Sequence, residues 1–391
     1  MDVAVIGAGP GGAWAAYCLA RAGARVLLID ASHPREKPCG GGITGRALAL
    51  VSAALYGVAL PMTTVRSARF FDSTTKRSVA VPLSVPDAEF PPDLVVAGRT
   101  AFDGALLAVA QEAGAELLPS RVTDVVRERQ WFRIETASGP RRAPIVIGAD
   151  GANSIVRRRL AQPFRRDQIS IATGYFAAGS TSEEIVIELT ADPPGYIWSF
   201  PRPTHLAVGV CAQADSGVAP AALRERVRAW MGHAGLPSDA PLTQYSWPIP
   251  SLSAADFDSL ALGDSGWFLV GDAAGLVDPI TREGIYFALL SAQAAADALI
   301  AGDAYASYRY IDRVYEEIVG ELVRAADFKE AFFRPDFITR MIDAVGRSPA
   351  VRTVLADLIS GRQRYTTLKW RLVRTCEFRL ALEVGRAYLA T

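Results

Sequence analysis

A short segment at the N-terminus limits the folds open to this 391-residue chain more strongly than any later segment. The apolar run Asp2–Ile6 is followed at once by a glycine-rich turn at residues 7–12. The pattern then predicts a helix over residues 11–22 and a second strand, Arg25–Ile29, that ends at Asp30. This complete order of strand, turn, helix and strand indicates the first unit of a dinucleotide-binding α/β fold, whereas the glycine spacing without that context would be weak evidence.

The glycines of this turn have separate physical roles. Gly7 permits the tight turn, Gly9 lets the backbone approach a pyrophosphate, and Gly12 lets the helix pack closely on the strand. The helix N-terminus offers free N–H groups and a positive dipole end to phosphate. Asp30 can accept hydrogen bonds from both ribose hydroxyls and disfavours a 2′-phosphate, so the unit is predicted to hold the ADP half of FAD or NAD. The alternative is a glycine turn without a ligand, which Asp30 makes the weaker interpretation.

The charge, cysteine and histidine content exclude several classes of protein. The 41 basic side chains balance 41 acidic ones, which differs from the basic footprint of a nucleic-acid binder. The cysteines are far apart and form no CxxC, so free thiols in a reducing compartment are expected. The histidines form no metal-ligand cluster and no catalytic triad, so neither a metal site nor a hydrolase is expected. The N-terminus shows no signal peptide, which predicts a cytoplasmic protein.

A second glycine-rich segment lies shortly after Asp30, where residues 38–42 read Pro-Cys-Gly-Gly-Gly. It follows no strand, so it is not a second dinucleotide unit, and it leads into a predicted helix over residues 46–56. Three successive glycines leave the backbone bare, which suits close approach to a flat ring or an anion. A flexible surface linker explains this loop equally well when it is considered alone.

Three later segments carry further motifs. Arg99 and Asp103 open a predicted helix, the Asp150-Gly151 turn follows an apolar strand, and the Gly271-Asp272 turn follows another strand. Together with the N-terminal glycine turn, in this order and spacing, these segments resemble the p-hydroxybenzoate-hydroxylase-type FAD fold. That fold includes aromatic hydroxylases, flavin halogenases and geranylgeranyl reductases. The resemblance covers about residues 1–300.

The resemblance implies FAD as the cofactor and assigns contacts to it. Asp272 would hydrogen-bond the ribityl chain, although a helix N-cap is a common alternative role for aspartate. Gly284 and Ile285 would offer backbone N–H groups to the flavin ring. Arg99 and the backbone of Val122 would contact the phosphate and adenine sides. The chain contains no second dinucleotide fold, so an external reductant such as NAD(P)H, ferredoxin or a reduced quinone would dock transiently.

Two elements resemble geranylgeranyl reductases in particular. The first is the loop at residues 38–42, which is similar to that family's PxCGGG element beside the flavin and implies cofactor contacts at Cys39, Gly40 and Gly42. The second is the segment at residues 196–201, Tyr-Ile-Trp-Ser-Phe-Pro, which resembles the family's YxWxFP motif.

The aromatic residues of the second element share one side of a predicted strand. Tyr196, Trp198 and Phe200 alternate with the period of two, so they would form one face and could line an apolar cavity for a prenyl chain. Without the resemblance, ordinary aromatic packing between sheet and helix would be the better interpretation.

Two positions depart from the geranylgeranyl reductase patterns, and one lysine bears on the halogenase alternative. The segment Gly209-Val-Cys211 breaks the GxG that usually follows the YxWxFP motif. Arg282 replaces the small residue often found in a Thr-Gly-x-Gly turn. Lys76 does not align with the catalytic lysine of flavin halogenases. A smaller or different substrate therefore stays open.

The predicted function is FAD-dependent reduction of isoprenoid C=C bonds in a lipid, quinone or related prenyl substrate. Adding a hydride and a proton to an unactivated alkene requires a dry, closely positioned site with an acid. Cys39 is the hypothesised ring-side group that shields the flavin or relays the proton, and a thiol that merely packs is an equal alternative. The rival functions are a flavin monooxygenase or halogenase acting on an aromatic small molecule, and a non-catalytic FAD-binding sensor.

The motif order predicts a discontinuous Rossmann-like α/β domain with an inserted antiparallel-sheet substrate domain and C-terminal helices. The predicted pieces are 1–60, 98–165 and 255–300 for the FAD-binding domain, 61–97 and 166–254 for the substrate domain, and 301–391 for the helical region. The basic tail over residues 361–391 also contains Trp370, Phe378 and Tyr388. It is either an interfacial helix that contacts the membrane peripherally or a solvated helix packed on the FAD domain.

Overall fold

The protein is described here by a computed structural model that covers residues 2–83, 92–179, 181–236, 241–302, 304–375 and 377. Phe378 and Tyr388 of the predicted tail lie outside the described residues. The strands are β1 (Asp2–Ile6), β2 (Arg25–Ile29), β3 (Gly42–Thr44), β4 (Met62–Thr64), β5 (Ser67–Asp72), β6 (Ser78–Pro82), β7 (Leu94–Ala97), β8 (Glu116–Leu118), β9 (Val122–Glu128), β10 (Trp131–Thr136), β11 (Arg141–Ala143), β12 (Ile145–Gly148), β13 (Ile169–Ala178), β14 (Glu184–Ala191), β15 (Pro194–Pro201), β16 (His205–Gln213), β17 (Leu242–Pro250), β18 (Gly263–Asp264) and β19 (Trp267–Leu269). The helices are α1 (Pro10–Arg21), α2 (Gly45–Val51), α3 (Arg99–Glu112), α4 (Ile155–Leu160), α5 (Pro220–His233), α6 (Ile285–Ile300), α7 (Ala306–Val314), α8 (Gly320–Phe332), α9 (Pro335–Arg347), α10 (Pro349–Ile359) and α11 (Tyr365–Arg374).

A six-stranded sheet in the order β18-β19-β12-β1-β2-β8 forms the nucleotide-binding half. All its pairs are parallel except β18–β19. Its inner strands β1, β2, β12 and β19 are mostly apolar, as strands between two layers of helices must be, and α1 packs against both α3 and α6. The strand predicted over Arg25–Ile29 is confirmed, and α1 begins at Pro10, where a proline at the first helical position has the φ that a helix requires.

A seven-stranded sheet in the order β17-β13-β16-β15-β14-β5-β6 stands beside it. Its pairs are antiparallel except that β5 and β14 run parallel. One face packs on α5 through a cluster that includes Tyr175, Ile197, Val227 and Trp230. The sheets and helices confirm the predicted fold class, with that one parallel pair as a difference, and the domain boundaries stay predictions.

The C-terminal helices cover the β5–β6 edge of the second sheet. Phe337 and Ile338 of α9 belong to one buried cluster with Val81 of β6 and Ile185 of β14. The helix predicted over residues 46–56 is shorter than expected, because α2 ends at Val51. Across the part of the chain that the structure describes, every helix is too short or too polar to cross a bilayer.

Candidate active site

Two of the three glycines in the N-terminal turn have no room for a Cβ atom, and the third has open space beside it. A Cβ built on Gly7, where φ is +100°, would lie 2.5 Å from the Ala149 carbonyl oxygen, and one on Gly12 would lie 1.8 Å from the Gly7 oxygen. The same atom on Gly9 would meet only the His33 ring, at 3.7 Å. Gly7 and Gly12 are therefore required by packing, whereas Gly9 leaves open space of the kind a pyrophosphate needs.

Two helix N-termini offer donors that no side chain caps. Neither α1, with Gly9 at its N-cap, nor α6, with Gly284 at its N-cap, has a side-chain capping bond or an acidic residue in its first turn. Their N–H groups and dipoles suit a pyrophosphate at one end and an electron-rich ring oxygen at the other. The local geometry thus fits FAD, with the predicted residues Gly284 and Ile285 at the second helix start.

Asp30 organises the loop that follows β2. Its carboxylate accepts from the N–H groups of Ala8 at 2.9 Å, Ser32 at 2.7 Å and His33 at 2.9 Å, and it pairs with His33 Nδ1 at 2.8 Å. Burial alone would raise the Asp30 pKa, but the His33 hydrogen bond and charge, with the backbone donors, lower it. A ribose would have to share oxygens that these donors already use.

The predicted adenine contact, Val122, begins β9 and is half-buried.

A chain of buried charges runs from this loop to Cys39. His33 Nε2 lies 3.6 Å from Asp103 Oδ2, and Arg99 donates to both Asp103 oxygens, at 2.8 and 2.7 Å. The Arg99 Nη1 atom lies 3.6 Å from the Cys39 sulfur. Burial would lower the His33 pKa, but the carboxylates of Asp103 and Asp30 beside the ring raise it. The predicted phosphate contact Arg99 is thus held beside the thiol by Asp103.

Arg202 fastens the glycine loop to the second sheet. Its Nη2 donates to the Cys39 carbonyl at 2.7 Å and its Nε to the Gly40 carbonyl at 3.3 Å, and it pairs with Glu36. The side chain is fully buried and lies over the ring of Phe176. Sequence reasoning missed Arg202, although it directly follows the YxWxFP segment, because no local pattern shows that it reaches a loop so distant in the chain.

The loop and the aromatic strand are in direct contact. A Cβ on Gly40 would lie 2.9 Å from the Phe200 ring, and one on Gly42 would lie 3.2 Å from it. Gly41 has a φ of +89°, and its Cβ would lie 2.3 Å from the Ala97 oxygen. The bare backbone is therefore needed for this packing, which makes the loop a wall of the site rather than a surface linker.

One cavity of about 230 Å³ lies between the two sheets. Its wall includes most of the predicted site residues, namely Cys39, Gly40, Gly42, Arg99, Tyr196, Trp198, Phe200, Asp272, Gly284 and Ile285. The C-terminal helices close it with apolar side chains, namely Phe332, Leu355, Leu358 and Ile359. Asp272 also pairs with Lys37 at 2.8 Å across the cavity wall.

The predicted nucleotide residues Gly7, Gly9, Gly12 and Asp30, and the adenine residue Val122, are not part of this wall. Pro10, which begins α1 next to the glycine turn, does line the cavity. The glycine turn and the cavity are therefore neighbours, as one extended cofactor would require.

Comparison with known proteins agrees with this geometry. The FAD binding domain family matches residues 1–305. The menaquinone reductase of Mycolicibacterium smegmatis is 30% identical over 328 residues, which cover 77% of this chain and 76% of the relative. The geranylgeranyl diphosphate reductase of Rhodobacter capsulatus is 30% identical over 323 residues, which cover 77% and 75%. A geranylgeranyl bacteriochlorophyll reductase-like structure from Thermoplasma acidophilum superposes with a TM-score of 0.78 at 23% identity, covering 95% of this chain and 98% of that one.

The fold, the glycine turn and the cavity together define an FAD-dependent oxidoreductase. Within that class, the chain belongs to the geranylgeranyl reductase family.

Proposed function

We propose that this protein reduces isoprenoid C=C bonds in an apolar prenyl substrate. The observation that carries the proposal is the contact between the bare loop and the aromatic strand, which places a backbone wall opposite Trp198 and Phe200 in one cavity. FAD, when bound, supplies the hydride. The protein supplies a dry, shaped surface that holds an unactivated alkene against it.

The residues for the cofactor follow from their positions. The open space at Gly9 and the free N–H groups of α1 would hold the pyrophosphate, and those at Gly284 and Ile285 would hold the ring. Asp272, which pairs with Lys37, would receive the ribityl chain. The electron donor is an external reductant, either NAD(P)H or ferredoxin.

Cys39 would give the proton that alkene reduction requires. Cys39 lines the cavity, and the Arg99 guanidinium beside its sulfur would stabilise the thiolate that remains. Cys39→Ser should slow reduction at least about a hundredfold with normal flavin content. Cys18→Ser, which changes a free thiol that does not line this cavity, is the matched control. Full turnover of the Cys39 variant would disprove the proton role.

Anaerobic incubation with a chemical reductant and a geranylgeranyl substrate tests the reaction itself. Reduction predicts a mass gain of two hydrogens per bond. A product that instead needs oxygen or halide would identify a monooxygenase or halogenase acting on an aromatic molecule. The halogenase alternative has little support from Lys76, which lies in the exposed turn between β5 and β6. Flavin that binds without any turnover would identify a sensor.

The exposed part of the tail would contact the membrane that holds a lipid substrate. On α11, Trp370 is 67% exposed and lies between Lys369 and Arg371. An aromatic residue flanked by cations suits an anionic lipid surface. Trp370→Glu should reduce flotation with anionic liposomes, whereas Trp131→Glu, which changes an exposed tryptophan on β10, should not. Equal flotation of both variants and the wild type would rule the contact out.

A further inference from the structure

Arg282 occupies a backbone position that disfavours its side chain. Its φ is +62°, in the left-handed region where a Cβ is strained and glycine is preferred. Family resemblance also leads us to expect a small residue in this turn. Arg282 nevertheless lines the cavity, next to the start of α6. A strained residue that replaces glycine in the wall of a site needs a reason.

The guanidinium of Arg282 is only partly satisfied. It donates through Nη1 to the Ser251 hydroxyl, and its Nε is buried without a partner. Within the described ranges it forms no ion pair. Asp278, in the same turn, accepts instead from the N–H groups of Ile280 and Thr281, at 2.7 and 3.0 Å. A buried donor without a partner is costly, and Arg282 can still donate a hydrogen bond to a further acceptor.

A second cation shares the same hydroxyl. Lys329 of α8 donates to Ser251 Oγ at 2.8 Å and to Gln213 Oε1 at 3.2 Å. The described residues supply it with no ion pair either. Burial, followed by the charge of Arg282, lowers the Lys329 pKa to about 7. When Lys329 is protonated, the two cations repel each other across one neutral hydroxyl, and an anion beside Arg282 would reduce that repulsion.

Both departures from the family patterns meet at this end of the cavity. Cys211, which breaks the GxG, lines the wall and is the cross-strand partner of Tyr196. Arg282 lines the same wall. The Tyr196 hydroxyl itself donates to the Thr281 carbonyl at 2.8 Å, one residue before Arg282. The two changes therefore alter a single corner, while the rest of the wall keeps its apolar character.

We propose that this corner binds an oxyanion at the end of the substrate, a carboxylate or a phosphate. Arg282 lines the cavity and would contact the oxyanion, whereas Ser251 and Lys329 do not line it and would support the Arg282 guanidinium from outside the wall. The apolar wall of Phe332, Leu355 and their neighbours would hold the chain that carries it. The ligand class is therefore an amphiphilic prenyl acid or prenyl phosphate rather than a neutral alcohol. The prenyl part of this proposal rests on the proposed function, whereas the anionic part rests on the corner alone.

Ligand binding can be measured from the absorbance change of the FAD-loaded protein, without turnover. Farnesol, farnesoic acid and farnesyl monophosphate share one chain and differ only at the end, and inorganic phosphate tests the head group alone. We expect at least one of the two anions to bind roughly tenfold or more tightly than farnesol. Arg282→Gly should abolish that preference, and Lys329→Met should reduce it.

The matched control is Arg129→Gly. Arg129 also has a positive φ, +53°, and is exposed in the turn between β9 and β10. Both glycine variants should raise the Tm by relieving strain, but only the Arg282 variant should lose the anion preference. Equal binding of farnesol and the anions by the wild type, or an unchanged preference in Arg282→Gly, would overturn the proposal. A failure to reduce any alkene would contradict the proposed function and leave this result standing.

Discussion

At the nucleotide end of the molecule, Arg99 is held by Asp103 and Arg202 by Glu36, whereas in the turn before α6 Arg282 shares one hydroxyl with Lys329 of α8. The first arrangement is internally neutral and fixes the glycine loop before any ligand arrives. The second keeps positive charge that forms no ion pair in the described part of the chain. Paired charges can hold a framework in place, and unpaired ones cost stability unless a ligand uses them.

The largest effect should come from breaking a pair at the nucleotide end. Asp103→Ala leaves Arg99 buried and uncompensated, so the free energy of unfolding should fall by about 3–5 kcal/mol, as measured by urea denaturation. FAD content should fall as well, because the Cys39 loop loses its support. The double change Arg99→Met with Asp103→Leu should recover most of the stability. A single variant as stable as the wild type would show that the pairing does not matter.

The glycine turn provides a second comparison, between packing and ligand space. Gly12→Ala should destabilise the protein by about 1–3 kcal/mol or more, because its Cβ would collide with the Gly7 carbonyl. Gly9→Ala should leave apoprotein stability within about 0.5 kcal/mol and weaken FAD binding roughly tenfold or more. Apoprotein denaturation and FAD titration separate the two effects. Normal FAD affinity in the Gly9 variant would contradict a pyrophosphate at this position.

The two ends should also differ in how stability depends on pH. The Lys329 pKa is lowered from 10.5 to about 7, so between these values the unfolded chain binds more protons and stability rises with pH. The slope should reach up to about 1.4 kcal/mol per pH unit. The groups that act on Lys329 are Arg282, Cys211, Asp215 and Asp256.

The contribution of His33 to stability depends on pH with the opposite sign. Its pKa is raised above 6.5, so its contribution is present below that pH and is lost as the pH rises through the folded value. Urea denaturation from pH 6 to 9 should show a flatter profile for Lys329→Met and a steeper rise for His33→Asn. Superimposable profiles for wild type and Lys329→Met would show that this lysine is not desolvated as the structure indicates.

The smallest effect concerns the strained turn. Arg282→Gly should raise the free energy of unfolding by about 1 kcal/mol, because glycine adopts a φ of +62° without a Cβ clash and the unpaired charge is removed. Arg282→Ala keeps the strain and removes the same charge. If both variants gain the same stability, removal of the charge explains the gain. If only the glycine variant gains stability, relief of the backbone strain explains it.

Local pattern was sufficient for the elements that a short segment determines. The glycine turn with β1, α1 and β2 follows from apolar periodicity, from the positive φ of Gly7 and from the contact of Gly12 with the Gly7 carbonyl, all of which act over a few residues. The close approach of Gly7 to Ala149 is a tertiary contact. Alternation in Pro194–Pro201 likewise placed three aromatic side chains on one face. The end of α2 at Val51 was missed, because the apolar composition beyond it continued to suit a helix.

The sequence by itself therefore determined the cofactor class and the family, since both depend on short motifs in a fixed order. Only the tertiary structure decided what surrounds those motifs. Arg202 reaches Cys39, and Lys329 reaches Ser251, across long separations that no local period encodes. The parallel pairing of β5 with β14 similarly depends on how the chain crosses between sheets. Such contacts are fixed by the packing of whole sheets and helices, because the energy that selects them is shared among many distant residues.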